Sequence, residues 1–241
     1  MASLRRAIER FNAVVTVLTR QHYVYDRTQY LHHALSFAQE GEDCLLDRFF
    51  AGKREGFYVD IGAHDPQRFS NTYRFYLRGW RGINVDPLPG TKHRFDSLRP
   101  RDTTLECGVS GRPGRLLYHQ FEEPALNTFD EDVATSRSTP PMRTIPVDTL
   151  PLADILRRHL PPGQPIDFLS IDVEGLDLEV LRSNDWAAFR PTFVLAEVLR
   201  VDDLATLSRS PVVAFMEGCG YRSVARTLNT VFFRDVQPAA A

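Results

Sequence analysis

The chain has 241 residues, 43% of them hydrophobic and 25% charged, enough apolar material for a sizeable core of a soluble globular protein. Its 29 basic and 31 acidic residues nearly cancel, which removes the electrostatic case for a nucleic-acid partner. No apolar stretch reaches the length of a membrane span, and Cys44, Cys107 and Cys219 are too few and too scattered for a disulfide framework or a zinc site. They read as buried free thiols in a reducing, cytoplasmic location.

Leu4, Ile8, Phe11, Val15 and Leu18 recur at helical spacing and predict an amphipathic helix over 3–20, within an N-terminal extension of residues 1–35. Its apolar stripe needs cover from its own domain, from a second copy in a homodimer or, more rarely, from peripheral contact with a membrane. The run Ala13 to Leu18 is interrupted by Thr16 and lacks a cleavage site, so no signal peptide is expected. Gln39-Glu40-Gly41-Glu42-Asp43, followed by Leu45, Leu46, Phe49 and Phe50, reads as an acidic helix start and a core-facing helix.

The next apolar run, Gly56 to Ile61, is a strand that ends at Asp60-Ile61-Gly62, and Ser70 to Arg78 has helical composition. A second strand closes at Asp86, where Pro87 and Pro89 break the chain. A helix over 91–98 and a third strand over 103–110 continue the alternation, and 115–121 adds another strand. Residues 122–143 are polar and aperiodic, with Leu126, Phe129 and Met142 to fold down on, and are read as a lid over the acceptor site. Helices over 152–160, 176–184 and 212–218 alternate with strands over 166–171 and 192–198. Two strands, 221–228 and 230–236, meet at Asn229, and 237–241 is a disordered tail. This alternation predicts one α/β domain over 36–236, a parallel sheet covered by helices on both faces, with no internal repeat.

In such a sheet the carboxyl ends of the strands open into the ligand crevice. Four of them deliver polar groups there: Asp60 with His64, Asp86, Asp172 with Glu174, and Glu197. Gly62 stands alone, the next glycine being Gly79, so no phosphate cradle is present. An adenosyl ligand without phosphates fits better, with Asp86 accepting both hydroxyls of a ribose. His64 is a candidate base by its intrinsic pKa, and Asp172, Glu174 and Glu197 are candidate bases or oxygen ligands for a magnesium-like ion. Each has a plainer reading. Asp60 and Asp86 could be turn acids, and Glu174 and Asp177 stand in a first helical turn that stabilises acids by roughly 0.3–1 kcal/mol without function. His119, Cys107 and Arg143 read as structural.

Three blocks, Gln39 to Asp43, Phe57 to Gly90 and Phe168 to Leu181, together resemble the FkbM-type S-adenosylmethionine-dependent methyltransferases, over most of the chain from about Ser36 to Arg234. The resemblance implies a Rossmann-like class I methyltransferase sheet, mostly parallel and seven-stranded with one antiparallel strand. It implies S-adenosylmethionine as cofactor and a hydroxyl of a sugar, glycolipid or polyketide-type natural product as acceptor. With it the cofactor set becomes Gln39, Asp60, Gly62, Ala63, His64, Asn71, Thr72, Asp86, Ser110 and Asp172, of which Asn71 and Thr72 rest mainly on the resemblance. His64, Asp172, Glu174 and Glu197 form the catalytic set, because methylating an alcohol requires a base or a metal to take its proton. The competing reading is a non-catalytic adenosyl-binding regulatory module, which would not need those surplus acids. A dehydrogenase is disfavoured by the missing glycines.

Overall fold

The computed structural model describes residues 34–199, 201 and 203–237. The helix expected over 3–20 and positions 238–241 of the expected tail lie outside the described residues. In chain order the elements are α1 (Glu42–Phe49), β1 (Phe57–Ile61), α2 (Tyr73–Arg78), β2 (Arg81–Val85), α3 (Thr91–Leu98), β3 (Thr103–Leu105), β4 (Gly108–Val109) and β5 (Gly114–Gln120). There follow α4 (Glu131–Ser136), β6 (Arg143–Leu150), α5 (Leu152–His159), β7 (Phe168–Ile171), α6 (Asp177–Arg182), β8 (Phe193–Glu197), α7 (Leu204–Leu207), α8 (Pro211–Gly218), β9 (Tyr221–Arg226) and β10 (Thr230–Asp235).

Seven strands form the main sheet in the order β3-β2-β1-β7-β8-β10-β9. β10 runs antiparallel between β8 and β9, and the other pairs are parallel. Strands buried on both faces alternate their side chains between two cores. Val59, Ile61, Ile83, Leu169, Ile171 and Val194 pack against residues of α5, α6 and α8, including Ile155, Val180 and Met216. Tyr58, Phe168, Phe193, Leu195 and Phe232 face the other way, onto Leu46 of α1, Phe75 and Tyr76 of α2, and Trp80. This is the Rossmann-like, mostly parallel seven-stranded arrangement with one antiparallel strand that the resemblance implies.

Three sequence readings need correction. The strand expected over 103–110 is two strands in different sheets. β3 pairs with β2, whereas β4 joins β6 and β5 in a separate three-stranded sheet. The chain turns at Glu106, whose carboxylate accepts the N–H of Gly90 (2.8 Å) and of Lys92 (3.3 Å). Second, β6 covers residues to which the sequence pattern assigns no element: its alternate positions are exposed, and Pro146 pairs with Leu117 on one side and needs no donor on the other. Third, residues 122–143 are not featureless. They hold a 3-10 turn over Pro124–Leu126 and α4, whose first turn is capped by Asp130 accepting the Val133 N–H at 3.0 Å. The short α7 was also missed.

Cys44, Cys107 and Cys219 are partly rather than fully buried. No helix among the described residues is long and apolar enough to cross a membrane.

Candidate active site

The carboxyl ends of β1, β2, β7 and β8 open into a cleft of about 860 Å³, the solvent at its mouth included. Its floor is made where β1 and β7 leave the sheet. Gly62 has φ of 81°, its N–H and that of Ala63 donate to the Val85 carbonyl (2.9 and 3.1 Å), and Asp172 donates its N–H to the Ile61 carbonyl at 3.0 Å. A Cβ on Gly62 would fall on the Asp172 carbonyl oxygen, so only glycine allows the two strand ends to approach this closely.

Asp86 is buried at the end of β2 and lines the cleft. Its Oδ2 accepts the His64 N–H at 2.8 Å and its Oδ1 the Leu88 N–H at 2.8 Å, with Thr91 Oγ1 further off at 3.4 Å. Two oxygens offer about four lone-pair sites, so the carboxylate keeps acceptor capacity toward the cleft. Burial raises its pKa to about 6, with the backbone donors opposing the shift. Beside it the cleft is lined by Leu88, Cys107, Val109, Tyr118 and Phe129, a less polar wall in which the Tyr118 and Phe129 rings stand 4.7 Å apart.

At the other end the cleft is acidic. Asp172 faces it and is accessible from it, yet protein encloses the carboxyl group; that enclosure, followed by the charges of Asp177 and Glu174, drives its pKa up. Glu197 is pushed up by burial and then by Asp172, and its Oε2 is buried without a hydrogen-bond partner. Asp177 lies beneath them, its Oδ1 accepting the Glu197 N–H at 3.3 Å, and burial raises its pKa to about 7. Glu174 is raised by burial, but Arg137 opposes the shift through a 2.8 Å ion pair. Asp172 and Glu197 cannot both ionise comfortably in this setting, and a bound cation would relieve the cost.

His64 closes the constellation. Its φ is 52°, its Nε2 is buried without a partner, and burial lowers its pKa, which favours the neutral imidazole that a base requires. Four non-glycine residues among those described have positive φ, and three of them, His64, Phe69 and Glu174, line the cleft. Such conformations cost roughly 1–3 kcal/mol each and gather at ligand sites.

A recess beside the acids is lined by Gln39, Glu40, Glu42, Phe69, Asn71, Asp172, Glu197, Asn229 and Thr230. The segment 36–43 straps it in place. Glu40 accepts both the backbone N–H (2.9 Å) and the Nδ2 (3.0 Å) of Asn229, and Glu42 accepts the Thr227 hydroxyl at 3.0 Å. Asp43, fully buried, accepts Ser36 Oγ (2.6 Å), the Phe37 N–H (2.9 Å) and Arg74 Nε (3.2 Å).

The structure thus brings Gln39, Gly62, His64, Asp86, Asp172, Glu174 and Glu197 to one cleft, with Asn71 in the recess. It does not bring Asp60, Ala63, Thr72 or Ser110 to that lining. Asp60 accepts the Thr72 hydroxyl at 2.9 Å, and Thr72 in turn accepts Arg99 Nη2 at 3.0 Å, in a buried network on the far side of β1 with Tyr58 and Asp102. Side-chain alternation sends residue 60 away from the face of residues 59 and 61. Ala63 is buried under the turn, and Ser110 bonds Thr149 at 2.9 Å in the small sheet. Reading the sequence missed Tyr118, Thr128 and Arg137, named Phe129 only as part of the lid, and treated Cys107 as structural although it lines the cleft. The aromatic residues in an otherwise polar stretch were the available signal. Among the described residues no three His, Cys, Asp or Glu side chains are gathered as a group that could hold a metal ion, so Asp172, Glu174 and Glu197 are not assembled as a three-carboxylate site.

The cleft thus offers the spare acceptor capacity of Asp86 at one end, a less polar wall in the middle and the carboxyls of Asp172 and Glu197 at the other. Methyltransferase sdnD of Sordaria araneosa is 30% identical over 104 residues, covering 34% of this chain and 40% of that protein. The aligned part is therefore less than half of the relative. The profile of the methyltransferase FkbM domain matches residues 60–223, from the end of β1 into β9 and through every strand end that forms the cleft. On that match, the chain belongs to the FkbM methyltransferase domain family.

Proposed function

We propose that the protein transfers a methyl group from S-adenosylmethionine to a hydroxyl oxygen of a sugar, glycolipid or polyketide-type natural product. The observation that carries the reading is the polarity of the cleft: Asp86 with free acceptor capacity at one end and the crowded carboxyls of Asp172 and Glu197 at the other. The cofactor supplies an electrophilic methyl on a sulfonium. Asp86 accepts its ribose hydroxyls, Leu88, Val109, Tyr118 and Phe129 pack on the adenine, and Gln39, Gly62 and Asn71 surround the amino-acid end. Asp172 and Glu197 balance its positive charge and lose protons as it binds.

The residues then act on the acceptor. His64, neutral and with Nε2 unpartnered, takes the hydroxyl proton as the new C–O bond forms and the methyl's bond to sulfur breaks, which would leave S-adenosylhomocysteine as the neutral thioether, and Glu197 is the alternative base. The segment 122–143 closes over the acceptor. It is tied down by the bidentate Arg68–Glu123 pair (3.0 and 2.8 Å), by Thr128 Oγ1 donating to the Glu174 carbonyl at 2.8 Å and by Arg137 on Glu174. Excluding water in this way strengthens every charge interaction inside. The surplus acids favour this over a binding module without catalysis. Calorimetry with S-adenosylmethionine and with NAD tests the cofactor, and tritium transfer from methyl-labelled S-adenosylmethionine to candidate alcohols tests the chemistry. Binding of NAD but not of S-adenosylmethionine would sink the proposal.

A further inference from the structure

The loop that displays Phe69 is anchored on both sides. Asp65 Oδ1 accepts the N–H groups of Gln67 (2.8 Å) and Arg68 (2.9 Å), Arg99 Nη1 donates to the Pro66 carbonyl at 3.3 Å and to Ser70 Oγ at 3.4 Å, and the Ser70 N–H donates to the Phe37 carbonyl at 3.0 Å. Between these anchors Phe69 has φ of 54°, a conformation that is unfavourable for a bulky residue and natural for glycine. A ring held this way in the service of the fold should be buried. Phe69 remains 38% exposed.

What the ring does instead is line both the cleft and its recess, in the company of Asn71, Asp172 and Glu197. The Arg68 guanidinium lies over the ring, 4.1 Å from its centre, and restrains it. The His64 imidazole lies 6.2 Å away, inclined by 23°. Strain persists where surrounding structure over-determines it, and here the surroundings hold the ring at the wall of the cleft beside His64.

We propose that Phe69 is a specificity-determining residue, an aromatic platform on which the acceptor lays the apolar face of a ring while its hydroxyl reaches His64. The inference rests on the methyl-transfer reading of the cleft and deepens it: the target hydroxyl is carried on a ring, not on a flexible acyl chain. A flat aromatic face bordered by amide and carboxyl groups matches a cyclic alcohol, whose C–H groups stack and whose further hydroxyls bond the border.

Phe69→Gly tests both halves of the argument, because glycine adopts the loop conformation freely while removing the ring. Phe69→Ala, which keeps the strain, serves as control. Thermal unfolding should place Phe69→Gly above Phe69→Ala and close to wild type. A Tm well below wild type and no better than that of Phe69→Ala would make the ring structural and overturn the proposal. Binding is read by saturation-transfer NMR on protein loaded with S-adenosylhomocysteine, with methyl β-D-glucopyranoside and cyclohexanol as ring probes and hexan-1-ol as the chain probe. The ring probes should lose saturation severalfold in Phe69→Gly and the chain probe should change little. Ring probes that bind the variant as well as wild type, or that bind neither, overturn the proposal and leave the cofactor assignment standing. Calorimetry with S-adenosylhomocysteine on wild type separates the two, since absence of binding there overturns the methyl-transfer reading itself.

Discussion

Gly62 lies so close to the backbone of Asp172 that a Cβ on the glycine would coincide with the aspartate carbonyl oxygen. Gly62→Ala must therefore push β1 and β7 apart, in addition to the cost of placing a side chain at φ of 81°, which alone is about 1 kcal/mol or more. The expected result is a marked drop in Tm together with loss of S-adenosylmethionine binding, read by thermal unfolding and calorimetry. An alanine variant with wild-type affinity would mean that the turn is not where the cofactor sits.

Asp86→Ala removes an acceptor of two ribose hydroxyls while its backbone donors, at His64 and Leu88, remain near water at the cleft wall. Charge-assisted hydrogen bonds of this kind are worth about 1.5–3 kcal/mol, so affinity for S-adenosylmethionine should fall about ten- to a hundredfold. Calorimetry on the folded variant decides it. Unchanged affinity removes Asp86 from the site.

His64→Asn should lower methyl transfer by about 10²–10⁴-fold with a smaller effect on cofactor affinity, whereas Asp172→Asn, which removes a charge facing the cofactor, should weaken S-adenosylmethionine binding. Asparagine tolerates the left-handed backbone at position 64, which separates loss of the base from loss of the turn. If His64 is the base, turnover should survive exhaustive chelation; activity lost to chelator and restored by magnesium would instead give the proton removal to an ion held by the acids at the end of the cleft.

The buried acids set a pH dependence of the ligand-free protein. Burial raises Asp60 and Asp86 from 3.8 to about 6 and Asp177 from 3.8 to about 7, so the folded state binds protons that the unfolded state has already lost. Their contribution to stability is complete below the unfolded value and disappears as pH rises through the folded one. His64, lowered by burial, opposes them weakly as pH falls below its ordinary value. Tm should therefore rise as the pH is lowered from about 7.5 to about 5. Asp177→Asn should raise Tm at the upper end and reduce the slope, since one pKa unit corresponds to about 1.36 kcal/mol. A Tm that falls steadily over this range contradicts the buried-acid account.

The segment 122–143 should exchange its amide hydrogens faster without ligands than with cofactor and acceptor bound. Arg137→Gln should raise the exchange of 122–137 further by removing the ion pair to Glu174, whose partners are only 18% and 22% exposed. Equal protection in every state and in the variant would reduce the segment to a fixed part of the fold.

The alternation of strands and helices was legible because β1, β2, β7 and β8 are buried apolar runs, and β2, β7 and β8 each finish at or lead directly into an acid that the topology carries to one edge. Asp86, Asp172 and Glu197 followed from that rule alone. Asp60 misled because it stands one position before the strand end, and the two-residue period of a strand turned it to the opposite face, toward Thr72 and Arg99. Of the small sheet, β5 was legible as the strand expected over 115–121, but β6 keeps alternate positions exposed, so no continuous apolar run marks it, and Tyr118 reaches the cleft through pairing with Ile145, a partner that local pattern does not reveal. Arg137 could not be found from its neighbours, since what it does depends on Glu174, a residue distant in sequence.

The strap between Glu40 and Asn229 joins residues 189 positions apart, and the neighbouring bond from Thr227 to Glu42 spans 185. On a ribosome, the recess around Gln39 and Glu197 therefore has no complete wall until the turn between β9 and β10 has emerged and reached back to a segment made long before. Contacts of such separation form late and slowly. A nascent chain can assemble β1, β2 and their helices early, but it acquires a closed recess only once the turn between β9 and β10 has been made, which leaves the acid-lined cavity open to water until then.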